Sequence, residues 1–426
     1  MPTPSLLIVP ARFKSGKLYS QIPTSGAGDF TVTRATTATR VNASGLIESV
    51  ASGIPRLDYF ASGGTAGCPA LLVEPAATNL VPNGVGFNAQ TGVQTSGVTD
   101  SPAVAISGTL ATKNEASGTI RYANQTFSAT ALASGTTYSV SRFFKYNGVA
   151  FTTSLQRNDA LQWGSVGWQQ DIVLSAASGV TLGASTLCTG SIENFGNGWY
   201  RVNVRVTTGA TIGGAATVQV LSILPATLST GQGFLIACPQ LETGSVATSY
   251  IPTTTAAVTR NADVVSVSGA VSGSIGQLSG TIYAEVDVRL LGSARNFIAA
   301  TLNSNTTDFV GFQINSSNQF FARMRNKTGS LVDVVASGVT TTAGIHKLAC
   351  SYSSGNITFA LDGVIIGTNT NANTDFNAAL NCVLLGSGPG AATGGTQSGF
   401  SNDRILDAAL YTTRLSNDEL AALTSL

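Results

Sequence analysis

Charge is what this sequence has least of. Lys, Arg, Asp and Glu make up only 10% of its 426 residues, where a soluble domain ordinarily carries about 25%. The formal net charge is +1, with no cluster of Lys or Arg. Nucleic acid and anionic membranes are therefore not expected as partners, because both call for a concentrated basic surface. Histidine is scarcer still: His346 is the single copy. Ser-His-Asp catalysis would have to use that one base, and no G-x-S-x-G elbow exists to pair with it. The five cysteines (Cys68, Cys188, Cys238, Cys350, Cys382) are odd in number and never spaced C-x-x-C. Reduced, mostly buried thiols are expected, and neither they nor the lone histidine have zinc-ligand spacing. Long apolar runs are missing as well. Leu6 to Val9 and Ala70 to Val73 fall far short of a membrane span. Met1-Pro2-Thr3-Pro4 shows neither the basic region nor the hydrophobic core of a signal peptide, so synthesis and assembly in a cytosol are expected.

Glycine, at 47 residues, and a 43% apolar share are what the chain does have. Disorder combines high net charge with few apolar residues, and this chain has neither. The texture of short apolar stretches separated by Gly, Ser, Thr and Asn turns predicts an all-β fold. The length predicts two or three domains. Residues 1–82 hold prolines at 55, 69, 75 and 82 and read as an extended attachment arm or small β module. Residues 83–252 read as a first β-sandwich, 253–263 as a connector and 264–426 as a second sandwich. In "WYRVNVRVTT", Tyr200, Val202, Val204 and Val206 share one face, with Arg201, Asn203 and Arg205 on the other. In "TIYAEVDVRL", Ile282, Ala284, Val286, Val288 and Leu290 point inward, with Tyr283, Glu285, Asp287 and Arg289 outward. "NITFALDGVIIGT" is a hairpin turning at Asp362-Gly363. The one helix closes the chain, with Ser416 as N-cap, Glu419 completing a capping box, and Leu415 and Leu420 in the staple positions. A surface so poor in charge has little electrostatic repulsion to keep it monomeric, which favours life inside an assembly.

Candidate chemistry is sparse. Glu285 and Asp287 share a strand face and could meet the separation that glycoside cleavage needs, but they alternate as ordinary solvent-facing residues do. Glu74, Glu193 and Glu242 stand alone beside turns, so hydrogen bonds to backbone or an Arg partner are expected of them. "GSGPGAATGGTQSG" (386–399) lacks the Gly-Lys-Ser/Thr of a phosphate loop. A calcium site on one of the sandwiches, through Asp side chains and carbonyls, stays open, but no loop has the regular acidic spacing that would place it, and no cofactor is expected. Sugar stacking is the remaining candidate. Trp163 and Trp168 flank a glycine turn in "LQWGSVGWQQD", with Tyr146 and Arg157 a few residues before. These four residues are either a glycan platform or core and subunit packing.

Three groups of motifs carry a resemblance. "PRLDY…CPALLVEPAATNL" resembles an N-terminal signature of phage virion proteins. "FGNGWYRVNV" followed by "CPQLETGSVATSYIPT" is similar to the closing strands of a carbohydrate-binding-module-like jelly roll. "TIYAEVDVRL", "ITFALDGVIIGT" and "ILDAALYTTRLSNDELAAL" resemble a concanavalin A-like (laminin G-like) sandwich. The usual Arg of "E-x-x-x-TNL" is missing from Glu74-Pro75-Ala76-Ala77-Thr78-Asn79. The resemblance implies a non-enzymatic particle component (head fibre, capsid decoration, collar or tail fibre), attached by its N-terminal region to other virion proteins and often trimeric. A host-glycan-binding adhesin is the alternative, and a polysaccharide-degrading enzyme a further one. In "CPQLETGSVATSYIPT", Leu241 is expected to point into the sandwich, with Gln240 and Glu242 facing outward.

Overall fold

Residues far apart in the chain supply the two halves of most strand pairs. The structure is a computed structural model that describes residues 2–82, 93–96, 98–104, 110–116, 122–128, 132–157, 163–212, 217–223, 233–303, 307–336, 341–389 and 397–426. It is all-β, with antiparallel sheets in two sandwiches and one short C-terminal helix.

In the larger sandwich, one sheet runs Val364–Asn369, Asn356–Leu361, Gly344–Ser353, Ser279–Val288, Asp403–Tyr411, Gly64–Val73, Leu57–Ala61, with Leu6–Ile8 also on Asp403–Tyr411. The facing sheet runs Phe13–Lys14, Lys17–Leu18, Phe30–Thr33, Val264–Ser268, Cys382–Leu385, Arg295–Thr301, Phe309–Ile314, Phe320–Arg325, Leu331–Val335. Between them lies the main core, where Ile282, Ala284, Val286 and Val288 meet Phe312, Phe359 and Leu385 as their alternation requires. Asp362 (φ 50°) and Gly363 (φ 82°) turn the hairpin in the paired left-handed geometry of a type I′ turn. The helix Asn417–Thr424 has the full capping box: Glu419 donates its N–H to Ser416 Oγ (3.3 Å), and Ser416 donates its N–H to Glu419 Oε2 (2.8 Å). Leu415 and Leu420 are buried and dock the helix on Tyr283, Ala349 and Ala360, on the sheet's outer side.

Residues 1–82 do not form a separate arm. Leu6 pairs opposite Leu410, Val32 opposite Val265 and Leu71 opposite Ile405, so this segment supplies strands to both sheets of the larger sandwich. A pattern of apolar residues shows that a strand needs a partner, and it does not say which partner. Nor are residues 253–263 a free connector. Val258–Arg260 pairs with Ala77–Asn79, placing the points where the chain enters and leaves the other sandwich side by side.

The smaller sandwich is thus inserted into the larger. Its sheets run Val93–Ser96, Tyr122–Ser128, Thr217–Ile223, Phe151–Arg157, Gln169–Ser175, Gly179–Thr186, and Val98–Val104, Leu110–Ala116, Gly233–Thr243, Thr137–Lys145, Trp199–Thr207, Thr189–Asn194. Val140, Val202, Val204, Val206, Phe234, Ile236 and Leu241 fill its core. A β-bulge interrupts the strand Gly233–Thr243. Ala237 pairs with Phe143 and Gln240 with Ser141, so Cys238 and Pro239 together oppose Arg142. Pro239 has no N–H to give a ladder and fits where the ladder is broken. All five cysteines are free thiols, with Cys238, Cys350 and Cys382 buried.

Candidate functional site

The four proposed sugar-stacking residues do not form an exposed platform. Trp163 and Trp168 are 0% and 1% exposed, in edge-on contact with ring centroids 5.2 Å apart in the smaller sandwich's core. Gly164 lets the backbone there close on Gly209, leaving no space for a side chain. Tyr146 is half-buried against the same core, and Arg157 lies over Gly167. The tryptophans beside glycines are core packing, as one of the two sequence readings had it.

The scarce charges are concentrated in the seam between the sandwiches. Arg56 donates from Nη1 to Glu74 Oε2 (2.7 Å) and pairs with Asp263. Arg34 reaches Asp263 at 2.7 Å, and Arg260 lies 3.3 Å from Glu74. Arg34 and Arg260 thus converge on one acidic pair. Arg289 bridges Glu74 (3.0 Å) and Glu193 (3.1 Å), and so ties the larger sandwich to the smaller. Ser249 donates both N–H and Oγ–H to Glu74, each at 2.6 Å. Burial alone would raise the Glu74 carboxyl, but Arg56, Arg260 and Arg289 outweigh it and hold the group well below the usual range. Glu74 therefore takes its cations from other segments, although its own "TNL" stretch lacks an Arg. Asn79 completes the weld: its Oδ1 accepts from Val81 and Leu241 N–H, and its Nδ2 donates to the carbonyls of Pro239 and Ile251.

Gln240 and Glu242 do not face solvent; both are 1% exposed. Leu241 points into the sandwich as expected, but the opposite face of that strand meets the seam. Glu242 accepts from Thr248 N–H (2.9 Å), Thr248 Oγ1 (2.5 Å) and Gln240 Nε2 (2.7 Å). Arg201 and Asn203 are buried on the same face, whereas Arg205, further along it, is exposed. Glu74 and Glu193 have the Arg partners expected of them, and Glu242 has backbone and threonine.

Elsewhere, His346 sits on the strand Gly344–Ser353 with Nδ1 2.7 Å from Asp362. Burial would lower its pKa, but the hydrogen bonds to Asp362 and the Thr342 carbonyl, with the charges of Asp362 and Asp287, together outweigh this and raise it. Glu285 stands cross-strand from Asp407, a residue that sequence reasoning passed over. Burial, with Glu285 adding to it, pushes the Asp407 carboxyl up to about 6. Among the described residues, no three His, Cys, Asp or Glu side chains come together as metal ligands.

Two grooves open along the seam. One, of about 340 Å³, is lined by Ser139, Ser191, Asn203, Arg205, Ser245 and Asn318. The other, of about 350 Å³, is lined by Phe60, Ser62, Asp287, Ile345 and Arg404, and it adjoins the first at Ile192, Arg289 and Ala343. In the second, Arg404 stacks 4.2 Å from the Phe60 ring and pairs with Asp58 and Asp287. In the first, Ser139 Oγ and Asn203 Oδ1 are buried and have no hydrogen-bond partner among the described residues. Asn203 Nδ2 is engaged with Glu193 (3.2 Å), and Asn318 Oδ1 accepts the Gly292 N–H (2.7 Å). Glu285 and Asp407 line neither groove.

Comparison with known proteins places the likeness in the larger sandwich. Residues 259–421 match a family model described as the concanavalin A-like lectin/glucanases superfamily. No curated protein matches the chain. Among solved structures, the IT-sialidase CBM40 of Ruminococcus gnavus is 18% identical, with a TM-score of 0.31 over 35% of this chain and 85% of that one. The heptameric SAP-like pentraxin of Limulus polyphemus is 12% identical (TM-score 0.29; 35% and 70% covered). The NanB sialidase of Streptococcus pneumoniae is 14% identical (TM-score 0.31; 38% and 26% covered). The C-terminal part of the chain is a concanavalin A-like β-sandwich.

Proposed function

We propose that the chain is a non-catalytic carbohydrate-binding protein and that the Ser139–Asn203 groove in its seam holds the sugar. The observation that carries this reading is the groove's polar lining, to which Ser139 and Asn203 each bring a buried side-chain oxygen without a partner among the described residues. Each buried polar atom without a partner costs about 1–3 kcal/mol. A sugar hydroxyl both donates and accepts, so one ring can satisfy an acceptor at Asn203 and a two-way hydroxyl at Ser139 together. The groove volume lies within the range of small-molecule sites, at their lower end. The seam acids Glu74 and Glu193 are held by arginines, which suits scaffold and not proton transfer. The concanavalin A-like sandwich supports the same reading at the level of fold.

Calorimetric titration of the intact protein with a panel of neutral and acidic oligosaccharides tests it. Binding is expected, with Asn203→Ala weakening it about tenfold, equivalent to about 1.4 kcal/mol, while the melting transition is retained. Absence of binding to every saccharide at millimolar concentration ends the proposal.

A second reading concerns where such a module works. We propose that the chain is a structural component of a phage particle, assembled in the host cytoplasm and attached to other virion proteins. Its support is the resemblance of "PRLDY…LLVEPAATNL" and "CPQLETGSVATSYIPT", whose residues Arg56, Glu74, Asn79, Gln240 and Glu242 all lie in or against the seam. Peptides of the chain in purified particles, in many copies, are the expected result. Their absence rules this setting out.

A further inference from the structure

Resting on the reading of the groove as a sugar site, we infer that the sugar it takes is anionic, with a carboxylate or sulfate seated at Arg205. Among the described residues, the lining of this groove includes Arg205 and Arg289 and no acidic residue. Arg289 is spent on Glu74 and Glu193. Arg205 is exposed and makes no ion pair among the described residues. The buried Arg34, Arg56, Arg260, Arg289, Arg295 and Arg404 are all paired with acids, whereas Arg205 stands at the rim of a groove.

Its position is built. Arg205 lies cross-strand from Ser139 on one side and from Thr189 on the other. The next row of the same face places Ser141, Asn203 and Ser191 side by side. From across the groove, Gly292 (φ 105°) approaches the guanidinium so closely that a Cβ there would lie 2.7 Å from Arg205 Nη1. A side chain at 292 would crowd the guanidinium and make it shift. Asn318, bound through Oδ1 to Gly292 N–H, has its amide nitrogen free to donate. The donors at this end are therefore a planar guanidinium, the Ser139 hydroxyl and an amide.

That set suits an oxyanion. A carboxylate takes two parallel N–H bonds from a guanidinium, and these are roughly twice as strong as neutral hydrogen bonds. The acidic group nearest along the row is Glu242, beyond Ser139, and its carboxyl is turned to Thr248 and Gln240. At the adjoining groove the charges pair off, with Asp287 and Asp58 on Arg404. The ligand's charge is thus directed to the Arg205 end, and its neutral part to the seam.

The intact protein is titrated with a neutral galacto-oligosaccharide, an oligogalacturonate of equal length and a sulfated galacto-oligosaccharide, each at low and high salt. At least one acidic ligand is expected to bind about tenfold or more tightly than the neutral one, with the advantage falling as salt rises. The better of the two acidic ligands identifies the oxyanion. Arg205→Gln is expected to abolish the preference, and Arg205→Lys to retain part of it. Equal affinities in the unmutated protein, or a preference that survives Arg205→Gln, overturn the anionic assignment and leave the sugar site standing. Failure of all three ligands to bind removes both. Arg205 is exposed, so an unchanged melting temperature separates loss of binding from loss of fold.

Discussion

Glu74 is reached by Arg56 from before the inserted sandwich, by Ser249 from its end, and by Arg260 and Arg289 from beyond it. Its removal leaves three guanidiniums around an uncharged side chain in a buried seam. Breaking a buried pair by deleting one partner costs about 3–5 kcal/mol. Glu74→Gln is expected to destabilise the protein by that amount in chemical denaturation, and a loss below about 1 kcal/mol contradicts the weld. Acid provides a second readout. Because the folded pKa is depressed, the contribution of Glu74 is fully present above the unfolded value of about 4.3 and is lost as pH falls through the lower folded value. The variant should therefore show a shallower loss of stability below about pH 4. That Glu74 and Glu193 would find partners was legible from their isolation beside turns. That the partners would be these particular arginines was not, since no local pattern links residue 74 to 289. Trp163 and Trp168 show the converse. Aromatic rings beside glycines and amides look alike on paper whether they face a sugar or a core.

At the level of elements, legibility followed the range of the interactions. The hairpin at Asp362-Gly363 and the capped helix at Ser416 are set by neighbours a few residues away, and both stand as expected. Alternation correctly placed Ile282 through Val288, and Val202 through Val206, in their cores. The opposite faces were misjudged. Arg201, Asn203, Gln240 and Glu242 point out of their own sandwich, yet all four are buried, Gln240 and Glu242 beneath Thr248, Ser249 and Ile251. A period of two residues reports which side of a sheet a residue occupies and is silent about what lies beyond that side. Buried polar residues on an outward face are the mark of such a second layer. Arg34 and Arg260, from opposite sides of the inserted sandwich, both end at Asp263.

For the molecule as a whole, the all-β class was evident from composition and turn spacing, whereas the division into consecutive modules was not correct. The larger sandwich needs Leu6–Ile8, Phe30–Thr33, Leu57–Ala61 and Gly64–Val73 from one end of the chain to complete sheets built mainly at the other. A fragment of residues 253–426 is therefore expected to lack a cooperative thermal transition, and addition of residues 1–82 to restore one. A sharp transition in 253–426 alone, with a well-dispersed amide spectrum, would show the missing strands to be dispensable. Pairings such as Leu6 with Leu410 carry a large loop-closure cost and no local sequence mark, which is why the insertion stayed hidden.

The ribbon of Ala77–Asn79 against Val258–Arg260 makes the inserted sandwich a cassette. With its two ends held side by side, the host domain closes over the same short span whatever is threaded through it. A lineage could exchange the cassette for another by matching only the few contacts at the base: an acid for Arg289, a hydroxyl for Glu74 and a strand bend for Asn79. Recognition could then diversify while the host framework stayed the same.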